Sequence, residues 1–170
     1  LVAKASPERQ RREWALDVID RQVGHMALLP DDLLDVSRIS RGKLELRLAE
    51  VDLQGVVDAA METTWPLIEA RQHRLELQLP QQPVQMLVDP GRIAQVLSNL
   101  LSNAAKYTDP GGVITLAAGE HEGRLRLQVR DTGIGLSREH LDEIFSMFSQ
   151  VESATDRAQG GLGIGLALSR

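Results

Sequence analysis

From Glu13 to Arg41 the apolar positions Leu16, Ile19, Val23, Met26, Leu29, Leu33, Val36 and Ile39 step by three or four, which predicts one long amphipathic helix. A polar entry, residues 1–12, precedes it, with Ser6-Pro7 as a helix start. Pro30 predicts a kink and Gly42 a stop. The pattern then changes to period two. Leu44, Leu46 and Leu48 predict a strand over 43–48, Leu75, Leu77 and Leu79 another over 74–79, and residues 84–88 a third. Between the first two, Asp52 predicts the cap of a helix running through Val56, Val57, Ala60 and Met61 to about Ala70, with Pro66 inside it. Pro80 and Pro83 mark a turn. Strands are predicted again at 113–117 and 125–129, joined by the charged stretch 120–124. A short helix capped by Ser137 and a terminal helix over 163–170 complete the chain.

The most informative pattern lies over 95–107, in a helix that Asp89-Pro90 should start. Ile93, Val96, Leu97, Leu100, Leu101 and Ala104 form its apolar stripe. Gln95, Asn99, Asn103 and Lys106 fall on one polar line, at i, i+4, i+8 and i+11. A solvated face is usually rich in paired charges. This line holds three amides, one lysine and no carboxylate. Either the outer face is merely amide-rich, or Asn103 offers a carbonyl oxygen to a hard cation and Lys106 meets a phosphate.

Composition narrows the choice. The 170 residues suffice for one sizeable core and an appended element, and the net charge of -5 argues against a broad nucleic-acid surface. Cysteine is absent, which excludes disulfides and thiolate metal sites and fits a reducing compartment. No apolar run reaches the ~18–20 residues of a membrane span. Only two Phe, two Trp and one Tyr occur, so the core must be built from Leu, Val, Ile and Ala.

Two glycine clusters follow the polar helix. Asp131-Thr132-Gly133-Ile134-Gly135 comes after the strand at 125–129, and Gly160-Gly161-Leu162-Gly163-Ile164-Gly165-Leu166 lies near the end, with Phe145-Ser146-Met147-Phe148 between them. The Asp131 carboxylate can accept from an exocyclic amine or serve a simple Asp-x-Gly turn. Gly133 and Gly135 let a ligand approach the backbone, and Gly161, Gly163 and Gly165 offer backbone N–H groups near a helix start. Tyr107 fits a pocket wall or a core. A P-loop would need Gly-x-x-x-x-Gly-Lys-Ser/Thr, which is absent. A dinucleotide fingerprint would need glycine where Arg138 stands.

In this order and spacing, the amide-rich helix, the Asp-x-Gly-x-Gly turn, the Phe pair and the Gly-x-Gly-x-Gly turn resemble the N, G1, F and G2 boxes of sensor histidine kinases of two-component systems. The resemblance implies an α+β fold: a two-layer α/β sandwich of the Bergerat ATP-binding type, with a mixed sheet and helices on one face, preceded by one long helix of a dimeric helical hairpin. Residues 1–42 would be the second hairpin helix, with Asp31-Asp32-Leu33-Leu34-Asp35-Val36-Ser37-Arg38-Ile39 matching it, and 43–170 the catalytic ATP-binding domain. His25 is followed by Met26-Ala27-Leu28-Leu29 and lacks the acidic and Arg/Lys-Thr/Asn-Pro context of a phosphoacceptor. His73, His121 and His140 lie in the later domain, and all four are read as surface or boundary histidines. The first hairpin helix is therefore expected to lie outside this chain, and the domain to continue beyond Arg170.

The resemblance further implies ATP and Mg²⁺ as cofactors. Asn103 would ligate Mg²⁺, Lys106 would face the phosphates, and Tyr107, Asp131, Gly133 and Gly135 would line the adenine site, Asp131 reading the amino group. Gly161, Gly163 and Gly165 would hold phosphate, with 149–160 as the lid. Asn99 stands where related gyrase-type ATPases carry a glutamate that activates water. An amide cannot take that proton, which favours a kinase over a hydrolase. The implied partners are a second copy through the hairpin helix and a response-regulator receiver domain, with no nucleic acid and no membrane contact from this segment. A cytoplasmic location follows, with any membrane anchor in another part of the parent. The chain alone should bind nucleotide without autophosphorylating. The alternatives are a non-catalytic nucleotide-binding dimerisation or scaffold module, and an ATPase.

Overall fold

The computed structural model describes residues 45–141, 143–146 and 164–169. The long helix expected over 13–41, His25, Gly161, Gly163, the pair Met147-Phe148 and the segment 149–160 lie outside the described residues. Glu45–Arg170 forms one compact unit.

The unit begins with strand β1, Ala49–Asp52. Asp52 leaves the strand with extended backbone and accepts from the Gln54 amide at 2.8 Å, which caps helix α1, Leu53–Ala70. α1 continues through Pro66 and ends in a Schellman turn. Gln72 adopts a left-handed φ of 56°, and the Gln72 and His73 amides donate back to Glu69 and Ile68 at 2.8 and 3.0 Å. That turn delivers the chain into β2, Arg74–Gln78. β3, Gln85–Val88, follows, and Asp89 caps helix α2, Pro90–Tyr107, accepting from the Arg92 amide at 3.2 Å with Pro90 in the first turn. β4, Val113–His121, and β5, Arg124–Asp131, form a hairpin. Its two-residue turn places Glu122 and Gly123 at φ 53° and 71°, so both central residues are left-handed, as a tight hairpin requires. A 3₁₀ turn at Arg138–His140 and helix α3, Gly165–Leu168, complete the described elements.

β2, β4 and β5 form a mixed sheet in that order, β2 parallel and β5 antiparallel to β4, while β1 and β3 pair as an antiparallel ribbon. Alternation turns Leu75, Ile114, Leu116, Leu127 and Val129 toward α1 and α2. There they meet Leu53, Val56, Val57, Ala60 and Ile68 of α1 and Leu97, Leu101, Ala104 and Ala105 of α2. This is the expected mixed sheet with helices on one face. Asp131 has the parity of Leu127 and Val129 and stands opposite fully buried Ile114, so period two carries it to the helix side of the sheet, beside the end of α2.

Four sequence expectations are corrected. The strand placed at 43–48 begins instead at Ala49, because the four-residue ladder with β3 spans Ala49–Asp52 and ends at the Asp52 cap. Leu46 and Leu48 are left 57% and 58% exposed, and the Arg47 amide donates to Asp89 Oδ2 at 2.8 Å. On α2 the buried arc is rotated: Ala105 is fully buried, while Val96 and Leu100 are only half-buried and lie outside the core cluster. Ser137 caps no backbone amide; its hydroxyl lies 2.7 Å from His140 Nδ1. His73 is neither a surface nor a boundary residue but a buried one.

Candidate functional site

The polar line of α2 is half-buried along its length, so it is not an ordinary solvated face. Gln95 accepts from Arg92 Nη1 at 2.9 Å. One turn on, Asn99 Nδ2 donates to the Gly165 carbonyl at 3.0 Å, bonding α2 to the start of α3. A Cβ at Gly165 would stand 3.2 Å from the Asn99 amide carbon, so the glycine allows this close approach. Asn103 follows on the same line. Among the described residues no group of three His, Cys, Asp or Glu is placed to hold a metal.

Lys106 closes the line. Burial, and secondarily the charge of Arg71, lower its pKa below the usual lysine value of 10.5. Among the described residues no carboxylate pairs with this partly desolvated ammonium, which stands beside another cation, and a phosphate would compensate its charge. Tyr107 is 45% exposed, which removes its reading as a core residue. Its carbonyl accepts from the Ile134 amide at 3.2 Å and so ties the end of α2 to the loop after β5.

That loop is built around Asp131. Its Oδ1 accepts from the Gly133 amide at 2.8 Å and from the Thr108 hydroxyl at 3.4 Å. One carboxylate oxygen is thus held from two sides, while Oδ2 has no hydrogen bond among the described residues. A Cβ at Gly133 would strike the Tyr107 carbonyl and come within 2.8 Å of Asp131 Oδ1. Glycine at 133 is a condition of the loop lying against α2. Gly135 has a left-handed φ of 67° and open space where a Cβ would be. Thr132 anchors the other side, its hydroxyl accepting from the Val113 amide at 3.1 Å and its own amide donating to the Val113 carbonyl at 3.1 Å.

The structure therefore gathers Lys106, Tyr107, Asp131, Gly133 and Gly135 around the junction of α2 with the loop after β5. Asn99 and Gly165 meet a turn or two back along α2. Sequence reasoning missed Thr108, which is buried against Asp131. It also missed Arg71 and His73. The buried histidine is flanked by polar residues, and nothing in its local pattern marks it.

The sequence profile described as histidine kinase-, DNA gyrase B-, and HSP90-like ATPase matches residues 88–170. The chain is 34% identical over 160 residues to the sensor protein GacS of Pseudomonas syringae pv. syringae, a match covering 91% of this chain and 18% of that protein. It is 34% identical over 168 residues to the circadian input-output histidine kinase CikA of Synechococcus elongatus, covering 96% and 22%. Full-length ShkA, solved in complex with AMPPNP, superposes with a TM-score of 0.73 and 32% identity over 98% of this chain and 34% of that one. The chain thus spans about a fifth of the length of the two named relatives. Profile, relatives and fold agree. Residues 88–170 belong to the histidine kinase-, DNA gyrase B- and HSP90-like ATPase family, and over most of its length the chain is similar to sensor histidine kinases.

Proposed function

We propose that the chain is the ATP-binding and phosphotransfer portion of a two-component sensor histidine kinase, passing the γ-phosphoryl of ATP to a histidine on the other hairpin helix and then to a receiver-domain aspartate. Asp131 carries the reading. Its Oδ1 is immobilised by Gly133 and Thr108, which leaves Oδ2 as a fixed acceptor for the adenine amine. A guanine carbonyl at the same place would meet a like partial charge. Gly133 lets the loop lie against α2, and Gly135, with open space where a Cβ would stand, lets a flat base pass without side-chain obstruction. Asn103 and Lys106 face the phosphate end. A bound Mg²⁺ would supply charge neutralisation there, held by Asn103 and the phosphates.

In the transfer the acceptor imidazole nitrogen forms the N–P bond as the β–γ bridging P–O bond breaks and ADP departs. Positioning and charge neutralisation are most of what the protein must provide. Asn99 supports transfer over hydrolysis. Its amide is a donor to the Gly165 carbonyl, and an amide does not deprotonate water. A carboxylate at 99 would face that carbonyl with no proton to share.

With γ-labelled ATP, the chain should hydrolyse slowly, leave itself unlabelled, and label a separately supplied hairpin bearing the phosphoacceptor histidine. Robust hydrolysis that Asn99→Ala abolishes would contradict the kinase reading and favour an ATPase. Nucleotide binding with neither reaction would favour the non-catalytic scaffold.

A further inference from the structure

The last turn of an α-helix leaves four carbonyls without helical partners, and water usually takes several of them. In α2 the last regular helical bond runs from the Thr108 amide to the Ala104 carbonyl at 3.1 Å, and the next three carbonyls have protein donors from outside the helix. The Ala105 carbonyl is bonded by His73 Nε2 at 3.0 Å. The Lys106 carbonyl accepts from Arg71 Nη1 at 2.9 Å. The Tyr107 carbonyl accepts from the Ile134 amide at 3.2 Å. Two of these three donors, Arg71 and His73, come from the turn after α1, on the other helix of the layer. Two of the capped residues, Lys106 and Tyr107, belong to the proposed nucleotide site.

The chemistry of the two side chains suits this post. Ala105 offers only an acceptor, so His73 must carry its proton on Nε2. Its Nδ1 is then a buried acceptor, and no partner for it is found among the described residues. A guanidinium at a helix C-terminus also complements the negative end of the helix dipole. The backbone of the same turn joins the cluster. The Arg71 carbonyl accepts from the Gly111 amide at 3.0 Å, and the Arg74 amide donates to the Gly112 carbonyl at 2.9 Å. The left-handed Gln72 lies between Arg71 and His73 and turns the chain so that both side chains reach the end of α2.

We infer that Arg71 and His73 are positioning residues of the nucleotide site: by capping the Lys106 and Ala105 carbonyls they fix the last turn of α2, and through it the loop 131–134 that reads the base. This rests on the nucleotide reading of that site. Arg71 and His73 act on the carbonyls of α2 and are not among the residues assigned to the nucleotide itself. Their effect passes through one shared strut, the Tyr107 carbonyl, which receives the Ile134 amide and against which Gly133 packs.

The test uses the whole chain with Arg71→Met, Arg71→Lys, His73→Leu and His73→Gln. Amide hydrogen exchange is followed residue by residue without nucleotide, and ADP affinity is measured in parallel. In Arg71→Met and His73→Leu the Ile134 and Thr108 amides should exchange at least about tenfold faster, while the β1–β3 ladder amides keep their rates. ADP should bind about tenfold more weakly, and His73→Gln and Arg71→Lys, which retain a donor, should recover much of the loss. Unchanged Ile134 exchange would overturn the inference, as would acceleration spread equally over the β1–β3 ladder, which would mark a purely structural role. Wild-type chain that binds no ADP, with Ile134 exchange still responding to Arg71→Met, would overturn the nucleotide reading and leave the cap supported.

Discussion

Lys106 shows at the scale of one side chain what the proposed site costs in stability. Its ammonium is partly desolvated and lies near Arg71, and both effects lower its pKa, burial more than charge. A lysine whose folded pKa is depressed binds its proton more tightly in the unfolded chain. Its contribution to stability is therefore unfavourable below the folded value, and improves as pH rises through that value toward 10.5. Lys106→Met keeps the apolar stem and removes the charge. The variant should melt higher than the parent near neutral pH, and the gap should narrow as the pH approaches 10.5, while binding of a non-hydrolysable ATP analogue weakens at least about tenfold. Thermal scans across pH beside a titration check both halves. A variant no more stable than the parent would mean that Lys106 already has a compensating partner. The residue types of the site were legible in the sequence because their order along the chain is unusual. The fixing of Asp131 was not, since Thr108 meets it only after 23 residues of hairpin return.

Among the elements, the helix ends decide where the site residues stand. The turn after α1 needs a left-handed residue and has Gln72, whose Cβ makes that conformation unfavourable. Gln72→Gly should stabilise the chain by about 1 kcal/mol in denaturant unfolding. No gain, or a loss, would show the glutamine side chain to be engaged. The start of α2 is set by Asp89, whose pKa is lowered by the Arg47 amide and then by the Arg92 amide. A carboxylate with a depressed folded pKa stabilises above its unfolded value of 3.8 and loses that contribution as pH falls through the folded value. Asp89→Asn, which keeps an acceptor, should therefore flatten the acid limb of the melting curve below pH 3.8, and an unchanged limb would contradict this. Both main helices were readable from the sequence, the first from its Asp52 cap and the second from Asp89-Pro90, because start signal and period agree there. The first strand was not. Leu44, Leu46 and Leu48 alternate convincingly, but a strand exists only where a partner supplies a ladder, and β3 does so only for Ala49–Asp52.

For the molecule as a whole, the sandwich follows from a Leu, Val, Ile and Ala core, and the expected sheet and helix layer were legible because period two and period 3.6 alternate cleanly from 52 to 131. Pairing order was not legible. β2 lies beside β4 in parallel, across the whole of α2, and no local pattern in 74–78 announces that neighbour. The arrangement brings the ends of α1, α2 and β5 to one place, so that Asp131, Lys106 and the Arg71–His73 turn act together. The central claim is that this junction binds an adenine nucleotide through Asp131. Calorimetric titration of the chain with ADP and a non-hydrolysable ATP analogue, with and without Mg²⁺, beside Asp131→Asn, tests it most directly. The account predicts saturable binding that prefers adenine to guanine, strengthens with Mg²⁺ for the triphosphate, and falls at least about tenfold in Asp131→Asn, whose amide turns donors toward the adenine amine. A folded chain that binds neither nucleotide, or binds both bases equally and ignores Asp131→Asn, would contradict it.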